Sequence, residues 1–308
     1  MVSEREATQV KVHTLDNSTM FNTDKSGTKK SDKQRKHLYY REGSLYINHQ
    51  GSSGDKSNNI KRTIESNNSA QFLYLNSMSK VMQLRGQTIF KDFESLISLK
   101  KIVMADNKLT HVPSSVWTLP RLKFLVLPHN LISTIPPEAA TSNLLELDLT
   151  RNNLTMPSVE VVSKILTLKE LRMGMNRLSG PLPESFTNLK HLQLCVMNMN
   201  RITSLPLSMD SLPSLYFLNV SHNVIKMLPF TLDKPLLNNL TFNFQGNKLS
   251  PEVEKLLQDP TKLRAYLQTP EYRAKYLTRK EENNWVTNGN DYDYHAVFED
   301  EDDMEDED

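Results

Sequence analysis

Cysteine is almost missing from this sequence. A single residue, Cys195, in a chain of 308 permits no internal disulfide and no cysteine-built zinc site, and it fits a reducing compartment. There is no run of about eighteen apolar residues that could cross a bilayer, and the N-terminal MVSEREATQVKVHTLDNS lacks the apolar stretch of a signal peptide. These absences predict a soluble protein of the cytoplasm, with the nucleus as a second address. The triplets Asn153-Leu154-Thr155 and Asn239-Leu240-Thr241 are then chance matches, because glycosylation would need secretion. Catalytic signatures are missing as well: no Gly-x-x-x-x-Gly-Lys, no Gly-x-Gly-x-x-Gly and no His-Glu-x-x-His. The expectation is a protein without enzyme activity, cofactor or metal.

Charge is unevenly placed. The formal net charge is +1, yet from residue 289 onward there are 11 acidic and no lysine or arginine side chains, so the remaining 37 basic and 25 acidic residues leave the body at +12. KSGTKKSDKQRKH, 25–37, reads as a nuclear import signal, a nucleic-acid contact or a solvated segment. Its lack of aromatic residues argues against nucleic acid. The acidic segment either keeps the protein soluble, folds back on the basic body or takes a basic partner such as a histone tail.

What the sequence does contain is a repeat. Leu99-x-x-Ile102-x-Met104-x-x-Asn107-x-Leu109 is followed in register by copies ending at Asn130, Asn152, Asn176, Asn200 and Asn223, and by a degenerate copy with Phe242, Phe244, Asn247 and Leu249. The asparagines step by 23, 22, 24, 24, 23 and 24 residues. Residues 70–98 form an imperfect opening copy with Leu73 and Leu75 on its strand, Leu96 and Leu99 closing its return, and Met78 where asparagine belongs. Alternation at period two makes each x-x-Leu-x-Leu-x-x a short strand with leucines inward and the intervening residues outward. The asparagine sits where the chain turns, and its amide serves backbone groups there; losing one should cost about 1–3 kcal/mol.

This pattern resembles intracellular leucine-rich repeat proteins of the short type, with about 23 residues per repeat and endings such as Val112-Pro113 and Ile135-Pro136. The resemblance implies an α/β solenoid of about seven to eight repeats with a curved parallel sheet on its concave face. It also implies a scaffold or adaptor role in protein–protein assemblies. One copy, RLSGPLPESFTNLKHL at 177–192, has the Leu-x-Gly-x-Leu-Pro form of plant-type repeats. The acidic tail also resembles that of acidic nuclear leucine-rich repeat proteins, which implies histone binding or phosphatase regulation as the alternative function.

The expected division is a mostly disordered 1–69 with the outline of a short hairpin at 38–48, a repeat domain at 70–249, a helical cap at 250–280 and a disordered acidic tail at 281–308. The hairpin either docks on the solenoid edge or binds a partner. Ser250 is placed at the N-cap of the first cap helix, Pro251 at its first position, and Pro260 as a break. His129 and His222 share a turn position several repeats apart, too distant for one metal.

Partner binding is expected on the outward face of the sheet, in a monomer. The two central columns give Phe124, Val126, Glu146, Asp148, Glu170, Arg172, Leu194, Val196, Phe217 and Asn219. Phe124, Leu194, Val196 and Phe217 are the apolar anchors, and the charged middle sets the register. Catalysis by Glu146, Asp148 and Glu170 is discounted, because Lys169 and Arg172 would offset them and an open sheet should not desolvate a carboxylate. Cys195, inward on its strand, is a small core residue and no nucleophile.

Overall fold

The computed structural model of the chain describes residues 38–41, 44–47, 69–76, 96–232 and 241–281. The chain divides into two units, Met1–Lys36 and His37–Asp308, and every described residue belongs to the second. Most of 1–69 and of 281–308, with the basic run, Met78 and the acidic segment, lies outside the described residues.

Twelve short strands are described. They are β1 (Leu38–Arg41), β2 (Ser44–Ile47), β3 (Phe72–Tyr74), β4 (Lys101–Val103), β5 (Phe124–Val126), β6 (Glu146–Asp148), β7 (Glu170–Arg172), β8 (Ser179–Pro181), β9 (Leu194–Val196), β10 (Arg201–Ser204), β11 (Phe217–Asn219) and β12 (Thr241–Asn243). Ten of them form one sheet in the order β1-β2-β3-β4-β5-β6-β7-β9-β11-β12. All pairings are parallel except β1 with β2, which form a hairpin whose second strand adds to β3. From β3 to β11 the middle residue of each sheet strand is buried and its two neighbours are half-buried, as period two demands. Leu73, Ile102, Leu125, Leu147, Leu171, Cys195 and Leu218 therefore form one inward row of an α/β leucine-rich repeat solenoid.

The asparagines tie each repeat to its predecessor. The Asn200 amide nitrogen donates to the carbonyls of Met173, one repeat back, and of Met197, in its own turn, at 2.9 and 3.2 Å. Its Oδ1 accepts from the Leu178 N–H at 3.1 Å. Asn130, Asn152, Asn176, Asn223 and Asn247 repeat these bonds, and even the opening repeat takes part, as Asn107 donates to the Leu75 carbonyl. These turns have a backbone cost. Asp106, His129, Arg151, Met175, Met199 and His222, each just before its asparagine, take left-handed φ of 52–55°. Gly246, in the degenerate copy, has φ +69° at the same position, the conformation only glycine adopts without penalty.

Behind the sheet the return segments are short: α1 (Ser114–Trp117), α2 (Met156–Val162) and single 3-10 turns at Pro137–Thr141, Glu184–Asn188 and Leu207–Ser211. Trp117 and Phe186 are the large side chains that fill this side of the core. The plant-like copy adds a second small sheet, in which β8 pairs parallel with β10. Gly180 within β8 has φ +100°, which accounts for the glycine of that copy.

Three helices close the stack: α3 (Pro251–Leu256), α4 (Pro260–Leu267) and α5 (Pro270–Glu281). Ser250 occupies the N-cap position of α3, but its side chain bonds no backbone amide there. The Glu252 carboxylate meets its own backbone N–H and the Ser250 hydroxyl instead, and these contacts hold it below its ordinary pKa. α3 has already ended at Leu256, and Pro260 begins α4, with Asp259 as a true N-cap accepting from the Lys262 N–H. Tyr272 and Tyr276 on α5 are buried, one turn apart. The Tyr272 hydroxyl donates to the Leu228 carbonyl and accepts from the Leu228 N–H, at 2.9 and 3.0 Å. Tyr272→Phe should therefore cost about 1–3 kcal/mol by leaving both groups of one buried residue unpartnered. Urea unfolding measures this, and an unchanged midpoint would show that α5 does not help hold the stack. Among the described residues no helix is long and apolar enough to cross a membrane.

Candidate functional site

Strand register fixes what the sheet presents outward. Phe124 lies beside Glu146, Glu146 beside Glu170, Glu170 beside Leu194 and Leu194 beside Phe217. The second column runs Val126, Asp148, Arg172, Val196 and Asn219 over the same five strands. The structure thus brings all ten expected residues onto adjoining positions of one face, each half-buried. Phe72 and Tyr74 extend the columns onto β3, beyond Lys101 and Val103.

The middle of the face is a charge cluster. Arg172 reaches Glu170 at 2.8 Å and Glu146 at 3.4 Å, bridging two strands. Burial raises the Glu146 pKa above the usual carboxylate value; Lys101 and Arg172 oppose the shift, and Glu170 and Asp148 reinforce it. This corrects the sequence reading that an open sheet would not desolvate a carboxylate. Neighbouring side chains on both adjacent strands crowd Glu146, whose side chain is 22% exposed. The second cation acting on it is Lys101, not Lys169. Lys101 also lies over the Phe124 ring, 5.5 Å from its centre, so the aromatic anchor and the acidic middle share one cation.

Asp148 and Asn219 have inward duties that their types alone did not reveal. Asp148 accepts from the Thr150 N–H at 2.9 Å, and Asn219 accepts from the Ser221 N–H at 3.1 Å and hydroxyl at 2.7 Å. Asn243 repeats the bond with Gln245. Each short side chain at this position closes the strand end onto the turn, so the residues free to select a partner are their neighbours.

The raised Glu146 pKa has a measurable consequence. Stability supplied by the protonated carboxyl is complete below the ordinary carboxylate pKa and is lost as pH rises through the raised value. Glu146→Gln should remove that loss, flattening the pH dependence of unfolding from the ordinary carboxylate pKa up to neutral pH and leaving neutral-pH stability equal to or above that of the unsubstituted chain. Denaturant midpoints at the two ends of the range test it; a steeper decline in the variant would contradict the burial argument.

Cys195 lies directly behind the face, fully buried, and burial alone pushes its thiol up to about 12. A thiol reagent should label the folded chain about a thousandfold more slowly than the unfolded chain. Labelling within seconds at neutral pH would show that the strand opens. Large apolar side chains are also exposed away from the two columns, among them Ile97, Leu131 and Leu166. They lie singly on different repeats, whereas Leu194, Val196 and Phe217 adjoin. Among the described residues no group of three or more His, Cys, Asp or Glu could hold a metal ion.

The family model described as Leucine Rich Repeat matches residues 167–189, which overlap the plant-like copy at 177–192. Adenylate cyclase of Schizosaccharomyces pombe is 31% identical over 148 residues, 48% of this chain and 8% of that protein. Osteomodulin of Rattus norvegicus is 32% identical over 146 residues, 46% of this chain and 33% of that protein. Leucine-rich repeats and immunoglobulin-like domains protein 3 of Homo sapiens is 32% identical over 134 residues, 42% of this chain and 12% of that protein. The chain thus spans 8–33% of the length of these relatives. Among solved structures, a leucine-rich repeat protein of Leptospira interrogans is 24% identical with TM-score 0.47, covering 56% of this chain and 50% of that one.

Proposed function

Because the chain is a leucine-rich repeat protein, a fold that generally mediates protein–protein interaction, we propose that it is a non-enzymatic scaffold or adaptor whose outward sheet face binds a protein partner. The observation that carries this reading is the adjacency of Leu194, Val196 and Phe217, half-buried apolar side chains on two paired strands beside the Glu146–Arg172–Glu170 cluster. Apolar anchors beside a charged group are what a specific interface needs: desolvated contacts for affinity, and charge for orientation. Phe124 and Val126 supply the second apolar border, with Phe124 between Lys101 and the acids. A single buried cysteine supports a site of action in a reducing compartment, the cytoplasm.

Affinity capture with the unsubstituted chain and with Leu194→Ser/Phe217→Ala tests the reading. The partner should be recovered by the first and lost by the second, at equal thermal unfolding temperature. Equal recovery would remove the sheet face as the binding surface.

A further inference from the structure

The sheet face is not the only recess. At the capped end of the stack a cavity of about 390 Å³ is lined by Lys226, Lys248 and Lys275 together with Met227, Val253 and Tyr266. The lysines come from three separate places: the loop that follows Ile225, the turn of the degenerate repeat after Asn247, and α5. Tyr272 also borders the cavity, its hydroxyl engaged by Leu228. Glu252 is close enough to Lys275 and Lys255 for both to lower its pKa, after its own backbone N–H and Ser250. The lining of the recess itself holds three lysines and no aspartate or glutamate.

The chain itself carries the complement of this recess. The helix that contributes Lys275 ends at Glu281, and residues 291–308 hold 11 acids with no lysine or arginine. Tyr292, Tyr294, Val297 and Phe298 are interleaved with those acids, more apolar surface than solubility requires. The 18 residues from Glu281 to Glu299 span roughly 60 Å when extended, so reach is not limiting. Tethering also keeps the local concentration of the acidic segment in the millimolar range, enough for contacts that are individually weak.

We propose that the lysine-lined cavity at the capped end is the docking site for the acidic segment 291–308 of the same chain, with carboxylates on Lys226, Lys248 and Lys275 and aromatic side chains against Met227, Val253 and Tyr266. The site is distinct from the sheet face and holds whether or not that face binds a partner.

Zero-length carbodiimide coupling of the full chain, read by mass spectrometry, tests this directly. Acids of 299–308 should couple to Lys226, Lys248 and Lys275 in preference to lysines elsewhere, such as Lys100, Lys190 and Lys262. Lys226→Gln/Lys248→Gln should reduce coupling at the remaining Lys275 about fivefold. Lys226→Arg/Lys248→Arg, which keeps the charge but cannot couple, should preserve it. Coupling spread evenly over the exposed lysines, or unchanged at Lys275 in the glutamine variant, overturns the assignment. So does coupling found only between isotopically distinct copies, which would place a neighbour's segment in the cavity. Inorganic phosphate binding at the cavity without any coupling to 299–308 would make it a small-anion site and overturn the assignment as well.

Discussion

Asn200→Ala should destabilise the chain by about 3–4 kcal/mol, more than the loss of an ordinary buried hydrogen bond. The side chain serves four backbone groups at once: the Met173, Met197 and Asn198 carbonyls and the Leu178 N–H. Two of these belong to the preceding repeat, so one substitution loosens the seam between repeats as well as the turn. Asn200 is 1% exposed, which leaves little room for water to replace the lost bonds. Asn200→Asp separates the contributions. A carboxylate can still accept from Leu178, but it places negative charge against three carbonyls. Burial there should raise its pKa, so this variant should come closest to the parent below the ordinary carboxylate pKa and lose stability as pH rises through the raised value. Urea unfolding at acid and neutral pH reads both effects. A cost under about 1 kcal/mol for Asn200→Ala would mean that the ladder is decorative and that the leucines alone hold the stack.

The repeat was legible because every copy states the same two rules, inward leucines at period two and an asparagine after the strand. Those rules alone put Phe124, Glu146, Glu170, Leu194 and Phe217 in one column. They could not show that Asp148 and Asn219 are committed to backbone groups two residues on, since the outward side chain of a strand and the closer of its turn look alike in one dimension. The desolvation of Glu146 was hidden for a related reason: it arises from side chains on β5 and β7, which the register brings close only when the sheet forms. Left-handed backbone before each ladder asparagine left one trace, Gly246; Asp106, Arg151, Met175 and Met199 carry no such signal. Tyr272 and Tyr276 were legible in principle, since two tyrosines four residues apart mark one helix face, but the charged EYRAKY around them masked it.

Phe217→Ala should weaken partner binding about thirtyfold or more, the effect of removing a central aromatic anchor. Phe217 pairs laterally with Leu194, and the two lie in the same column as Glu146 and Glu170, which Arg172 bridges from the second column, so truncation removes apolar contact next to a charge that the partner must meet. Since the ring is outward and the core row behind it is Leu218 and Cys195, folding stability should change little. Arg172→Met is a harsher change. It leaves Glu146 and Glu170 without their bridging cation, and its cost in stability, about 1–2 kcal/mol for a half-buried pair, has to be subtracted from any effect on binding.

The most direct test is a calorimetric titration of the recovered partner into the unsubstituted chain, Phe217→Ala and Leu166→Ser, the last altering an exposed apolar residue away from the two columns. A thirtyfold or greater loss for Phe217→Ala, with Leu166→Ser unchanged, is the predicted result. The reverse order, with Phe217→Ala unaffected and Leu166→Ser weakened, would place recognition elsewhere and contradict the assignment of the sheet face.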